Sequence, residues 1–327
     1  MQLEKVATPT ANPSPVLRMV EHAAPILANE PVRHYRVGVV RAAVTSRVSA
    51  LMEEHRSLYA PYEVAAADGQ EIEVRVAAQP FSWRHRRRYD VTVNNRVQFQ
   101  PARRAELLPY VEWAINWEVP RLLPHCLHLH ASALAIDGMG VILPGASGSG
   151  KSTLTAGLLS CGWHYLCDEF AIIDPATMHV QPYPRALCIK KPSFGAIASV
   201  GLATHGRHHL KGTKGYVGFI SPQRVRPDAV GRACPVNYVI FPKYVSGAAP
   251  QLKRLHRAEA AFALHSVCFN LLDCRTRALD VIARLVRNAE CFELISGELR
   301  ATCQVVQNLV QARAAQSVRS LAHAEVA

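Results

Sequence analysis

Residues 145–153 read GASGSGKST, and CDEF follows at 167–170. Gly145, Gly150, Lys151 and Ser152 meet the pattern G-x-x-x-x-G-K-[ST] in full. Glycines let the backbone turn tightly enough for successive N–H groups to face phosphate oxygens. A helix beginning at Lys151 adds its positive end. Lys151 offers a charge to the β- and γ-phosphates, and Ser152 offers a hydroxyl to Mg²⁺. The whole stretch is therefore expected to touch a nucleotide: Gly145, Ala146, Ser147, Gly148, Ser149, Gly150, Lys151, Ser152 and Thr153.

Asp168 and Glu169 follow Lys151 by 17 and 18 residues, between the apolar segments HYLC and FAIID. Carboxylates flanked by strand-forming apolar residues need a partner, which Mg²⁺ or an acceptor hydroxyl would supply. One acid would serve the metal and the other would take a proton from an attacking hydroxyl. Asp168 is read as the base and Glu169 as the metal-side carboxylate, with the two roles exchangeable. In HLH, His128 and His130 share one strand face, which is expected to point at the phosphates. Transporter-type motor ATPases place their carboxylates far downstream of an LSGGQ-like signature, and none is present.

The elements that must carry these residues follow from local patterning. HLHASALAIDGMGVILPG reads as two strands around an Asp-Gly turn, the second running into the glycine loop. KSTLTAGLLSCG reads as a helix that stops at Gly162. Upstream, YEVAAADGQEIEVRVAA and YDVTVNNRVQFQ read as hairpins. Leu107, Leu108, Val111, Trp113, Ile115 and Trp117 recur at helical spacing. PSFGAIASVGLATHGRHHLKGTKG lacks strong periodicity and reads as a mobile loop region able to cover the nucleotide or hold the acceptor. His205, His208 and His209 within it have no clear metal-ligand spacing. VNYVIFPKYV is a strand, and three helices follow, near 258–270, near 276–290 and from Leu299 onward.

With these residues in place, HASALAIDGMGVILPGASGSGKSTLTAGLLSCGWHYLCDEFAIID resembles the core of the HPr kinase/phosphorylases. The resemblance covers about residues 125–175. It implies an α/β P-loop kinase core of the HPr kinase type, more distantly similar to phosphoenolpyruvate carboxykinase. It also implies ATP with Mg²⁺ as ligands, Asp168, His130 and Lys151 as catalytic residues, and Ser152 and Glu169 at the metal. Asp168-Glu169 stands where the family carries two aspartates, and YPRALCIKKPSF stands where its second signature, linked to reverse phosphorolysis, would fall. The chain thus looks most like the HPr kinase-related kinases found beside peptide-modification genes. That implies γ-phosphate transfer to a Ser or Thr hydroxyl on a peptide or small protein, with Arg185, Lys190 and Lys191 as candidates to hold phosphate or an acidic acceptor. The resembled family forms higher oligomers, and the apolar C-terminal helices offer an interface.

Composition fits this reading without choosing it. The 327 residues are 49% hydrophobic, and the formal charge of +12 favours an anionic partner. Aromatic residues are few and not interleaved with basic ones, so nucleic acid is not the expected partner. Nine cysteines without a C-x-x-C pair read as buried free thiols rather than disulfides or a zinc site. No apolar run reaches the roughly 18 residues of a membrane span. The N-terminus lacks a basic start and an apolar stretch, and the expected location is the cytoplasm. A loose tail is expected over 1–33, an α+β N-terminal region over 34–124, and the kinase domain with C-terminal helices over 125–327. The run RHRRR at 84–88 reads as a solvated loop. Two other functions fit the same motif, a nucleotide-dependent switch or scaffold and a small-metabolite kinase. No base-reading motif separates ATP from GTP.

Overall fold

A computed structural model of the chain describes residues 30–66, 69–79, 88–271 and 276–324, with side chains through 312 apart from Thr276. Most of the expected tail, the turn residue Asp68 and residues 84–87 of the basic run lie outside the described residues. The fold is mixed α/β, built on three sheets of six, nine and three strands.

The six-stranded sheet is made entirely of N-terminal residues. Its first strand, Val32–Val37, begins within the stretch read as a tail. Alternation sets its faces: in Ile72–Ala78, Ile72, Val74 and Val76 are buried while Glu73 faces out. Asn94 and Asn95, with φ of 46° and 66°, make the tight turn between Tyr89–Val93 and Arg96–Phe99, as their types suggest. The other expected hairpin does not form. Glu63–Val64 pairs with Val32–Val37, whereas Ile72–Ala78 pairs with Val40–Ser46 and Tyr89–Val93. Strand-forming patterns are local, but pairing partners are chosen by the helix Ser49–Tyr59 that intervenes between Val40–Ser46 and the later strands.

The expected helix runs Leu107–Leu122. Its buried Leu108, Val111, Ile115 and Val119 recur every three or four residues and pack toward the sheet. One hydrophobic cluster continues from the six-stranded sheet into the nine-stranded one, joining Val74 and Val91 to Leu127, Ala133 and Ile172.

His55 in the Ser49–Tyr59 helix is part of this core. Its ring lies 4.8 Å from Tyr35 and 4.7 Å from Tyr59, centroid to centroid. Neither ring nitrogen has a protein partner among the described residues. Burial, with Arg185 nearby, pushes its pKa from 6.5 down to about 3. The unfolded chain therefore binds the extra proton first. Stability from this group is complete above pH 6.5 and falls as pH drops below it, at about 1.4 kcal/mol per pH unit. We expect His55→Phe to leave stability at pH 7.5 unchanged or higher, and to flatten its fall toward pH 5 by one proton's slope. Urea unfolding at the two pH values checks this, and equal slopes in both proteins would refute it.

The nine-stranded sheet carries three parallel strands side by side: Met139–Pro144, Cys234–Tyr244 and Glu290–Ser296. Asp137 and Gly138, with φ of 51° and 76°, turn Ala131–Ile136 into Met139–Pro144 as expected. The chain then passes through 145–150 into the helix Lys151–Ser160. Gly162, at φ 94°, ends that segment. Ligands of open α/β sheets lie beyond the carboxyl ends of parallel strands. Here those ends are the glycine loop, Tyr244 and Ser296.

The three-stranded sheet corrects a second expectation. The segment read as a mobile loop forms the helix Phe194–Ser199 and the strand His205–Leu210. That strand pairs with Tyr216–Ile220, which also pairs with Leu187–Lys190. Single-sequence periodicity is weak here because one strand is polar and mostly exposed at the edge. Among the described cysteines, Cys161 is exposed rather than buried, and Cys188 and Cys268 are half-buried. Among the described residues, no helix is long and apolar enough to cross a membrane.

Candidate functional site

A cavity of about 730 Å³ opens at the carboxyl ends of the parallel strands. Its floor is the loop 147–153 and the start of the Lys151–Ser160 helix. Gly148 and Gly150 hold φ of 97° and 98°, which residues with a Cβ adopt only under strain. A Cβ on Gly145 would come within 2.9 Å of Ser149 Oγ. The glycine positions are thus conformational requirements of this loop. Tyr244 is tied to it by its N–H, which donates to the Ser149 carbonyl at 3.2 Å.

Lys151 is buried and folds back over the loop. Its ammonium donates to the carbonyls of Gly145 at 2.6 Å and Ala146 at 2.9 Å. Burial lowers its pKa, an effect the Asp168 and Glu169 carboxylates oppose. Thr153 donates to Ser193 Oγ at 2.9 Å, which links the phosphate-loop helix to the Phe194–Ser199 helix.

Asp168 and Glu169 occupy the passage between His164–Cys167 and Ala171–Ile173. Asp168 is buried beneath the loop. Its Oδ1 accepts from Ser132 at 2.5 Å and from Ser152 at 3.1 Å, while Oδ2 has no protein partner among the described residues. Burial, with the neighbouring Glu169, raises its pKa. Glu169 has φ 72°, unusual for a residue with a side chain, and lines the cavity. Its Oε1 accepts from Lys211 at 2.9 Å and its Oε2 from Asn116 at 3.5 Å. Burial opposes its charge, yet Lys211, with Lys214 and His130, holds the carboxyl well below the usual range.

The sequence leaves the roles of the two acids exchangeable. Ser152 meets Asp168, not Glu169. The donor set at that corner, two hydroxyls and a carboxylate with one free oxygen, suits a hard cation such as Mg²⁺. Among the described residues, no group of three or more His, Cys, Asp or Glu side chains could hold a metal. That excludes neither one-carboxylate magnesium binding nor the use of substrate phosphates as ligands. His205, His208 and His209 diverge: His205 accepts from the Ser221 N–H, His208 lies against Phe194, and His209 faces Glu54.

His130 reaches the cavity, and burial, with Lys151 nearby, pushes its pKa down to about 4. His128 does not reach it; its Nε2 is engaged by the Leu123 carbonyl at 2.9 Å. Lys190 lines the cavity and donates to Ser147 Oγ at 3.0 Å. Lys191 is exposed, lies over the Tyr216 ring and does not line the cavity. Arg185 is a correction. It is 3% exposed and ion-paired with Glu112, so it holds elements together instead of meeting a ligand.

Sequence reasoning missed four polar residues of the site. Lys211 and Lys214 enter from the hairpin joining His205–Leu210 to Tyr216–Ile220, within the segment read as a covering loop. Lys211 also donates to Cys188 Sγ at 3.5 Å. Ser132 and Asn116 come from a neighbouring strand and from the Leu107–Leu122 helix. The sign available for Asn116 was its spacing of four from Glu112 on an otherwise apolar helix face.

No protein-family model matches the chain, and no curated protein matches it. Among solved structures, the chain is similar to the Hpr(Ser) kinase/phosphatase from Coxiella burnetii, with 17% sequence identity, 60% of this chain and 96% of that chain covered, and a TM-score of 0.33. A likeness of that degree carries no argument about this chain's chemistry, which rests on the residues above.

Proposed function

We propose that the protein is a magnesium-dependent kinase that moves the γ-phosphate of ATP to a hydroxyl. The observation that supports the reading is one cavity lined by the glycine loop, Ser152, Glu169 and four lysines, with Asp168 buried behind Ser152 at 3.1 Å. Lys151, Lys190, Lys211 and Lys214 line it against two lining carboxylates, Glu169 and Glu298. Such a surplus of positive charge suits a polyphosphate. The acceptor class, a Ser or Thr hydroxyl on a peptide or small protein, follows the sequence resemblance. The domain division at 124/125 and a self-associating C-terminal surface belong to the same proposal.

In this reading Lys151 leaves the loop carbonyls for the β- and γ-phosphates. Ser152 and Asp168 hold Mg²⁺, so Asp168 takes the metal side and Glu169 the acceptor side. Bound there, the ion would neutralise charge on the phosphate oxygens. Glu169, ionised and facing the cavity, orients the acceptor hydroxyl and takes its proton as the new O–P bond forms, the bond from the γ-phosphorus to the bridging oxygen breaks and ADP leaves. His130, neutral at physiological pH, neighbours the same end of the cavity. Lys190, Lys211 and Lys214 stabilise the charge on the moving phosphoryl group.

The test is incubation of the purified protein with γ-labelled ATP, Mg²⁺ and lysate of its own organism. Label on a protein or peptide, dependent on the added chain, is expected. Label only on a soluble metabolite would favour the small-metabolite kinase. Label only as free phosphate, at one rate with and without lysate, would favour the nucleotide-driven switch.

A further inference from the structure

Among the described residues, the N-terminal region meets Glu169 of the candidate site through Asn116. Asn116 is 5% exposed and lies on the Leu107–Leu122 helix, four residues after Glu112. Its carbonyl oxygen accepts from Arg185 Nη1 at 2.7 Å and from the Tyr183 hydroxyl at 3.0 Å. An arginine has no acceptor, so the amide oxygen must face it and the amide nitrogen must face away. The nitrogen points at Glu169 Oε2, 3.5 Å distant. Catalytic hydrogen bonds are commonly this long before substrate binds.

The rest of the network fixes that orientation. Arg185 also donates to the Glu112 carbonyl at 2.8 Å and pairs with the Glu112 carboxylate. Tyr59, from the Ser49–Tyr59 helix, donates to Glu112 Oε2 at 2.8 Å and accepts from the Ala186 N–H at 3.1 Å. The amide of Asn116 therefore has one permitted orientation, set by Tyr183 and Arg185, which Tyr59 and Glu112 hold in place. Glu169, with its left-handed backbone, has only Lys211 and Asn116 as hydrogen-bond partners among the described residues. Lys211 is a ligand for incoming phosphate in the kinase reading, which leaves Asn116 to hold the carboxylate during transfer.

We infer that Asn116 is a positioning residue for Glu169, and that the N-terminal region thereby supports the acceptor side of the cavity from behind. The inference rests on the kinase reading of the cavity. It assigns Asn116 no contact with substrate.

Asn116→Asp is the discriminating variant. It keeps an acceptor for Arg185 and Tyr183 and removes the donor that faces Glu169. In the full chain, with ATP and with water as the acceptor, kcat should fall about tenfold or more while KM for Mg·ATP stays within about twofold. The melting temperature should stay near that of the wild type. In a Glu169→Gln background the same substitution should change kcat less than about twofold, because the group it acts through is already altered. An unchanged kcat, an equal loss in the Glu169→Gln background, or a loss that tracks a lowered melting temperature would overturn the inference. A wild type that turns over no ATP, with water or with added lysate, would reject the kinase reading and the inference together. Label appearing only as free phosphate when lysate is added, with Asn116→Asp slower still in the water assay, would reject transfer and keep the positioning role.

Discussion

On the proposed kinase reading, Lys151→Ala is expected to lower phosphate transfer by about 10³-fold or more and to leave the fold intact. The size follows from position. Lys151 is the first residue of the helix that leaves the glycine loop, and its ammonium sits on the carbonyls of Gly145 and Ala146. Neither direct contact is with a carboxylate, so removing the side chain breaks no ion pair, and Asp168 and Glu169 lose only a longer-range attraction. A ligand phosphate would be a better partner for the ammonium than two carbonyls. The variant should also bind Mg·ATP more weakly. Transfer and nucleotide titration, with circular dichroism as the fold control, check the three statements. Turnover near the wild-type rate would remove the phosphate assignment from this loop.

The second large effect is at Asp168. Asp168→Asn keeps an oxygen for the Ser132 and Ser152 hydroxyls and removes a buried charge. Because burial already works against that charge, the variant should melt at the same temperature or higher. Its catalytic cost should still be about 10³-fold, through the metal. The half-saturating Mg²⁺ concentration should rise at least about tenfold, while metal-free ATP binding changes little. Glu169→Gln should slow transfer without moving the magnesium midpoint. If Asp168→Asn stops transfer at an unaltered magnesium midpoint, the roles revert to those expected from sequence, with Asp168 as the base.

These two expectations separate cleanly because the acids, though adjacent in sequence, face different surroundings. Asp168 lies beneath the loop with two hydroxyls, and Glu169 faces the cavity with a lysine and an amide. No sequence pattern distinguishes two neighbouring carboxylates. What separates them is the positive φ of Glu169, which turns the chain between consecutive strands.

Features that depend on neighbours in sequence are legible in the sequence itself. The glycine loop is bounded by Met139–Pro144 and Lys151–Ser160, and both follow from local patterning. The Asn-Asn and Asp-Gly turns follow from residues that tolerate positive φ. The Leu107–Leu122 helix follows from apolar spacing. Tertiary structure alone decided what depends on distant residues. Glu63–Val64 pairs away from Ile72–Ala78, since strand propensity does not name a partner. Arg185 looked like a free cation within a basic segment, yet Glu112, 73 residues earlier, takes it into the interior. Lys211 meets Glu169 across 42 residues and Asn116 meets it across 53. The glycine loop is written in consecutive residues because its shape depends on local backbone conformation. The Glu169 side of the cavity is assembled from side chains of separate elements, so its members share a site only once the sheets have packed.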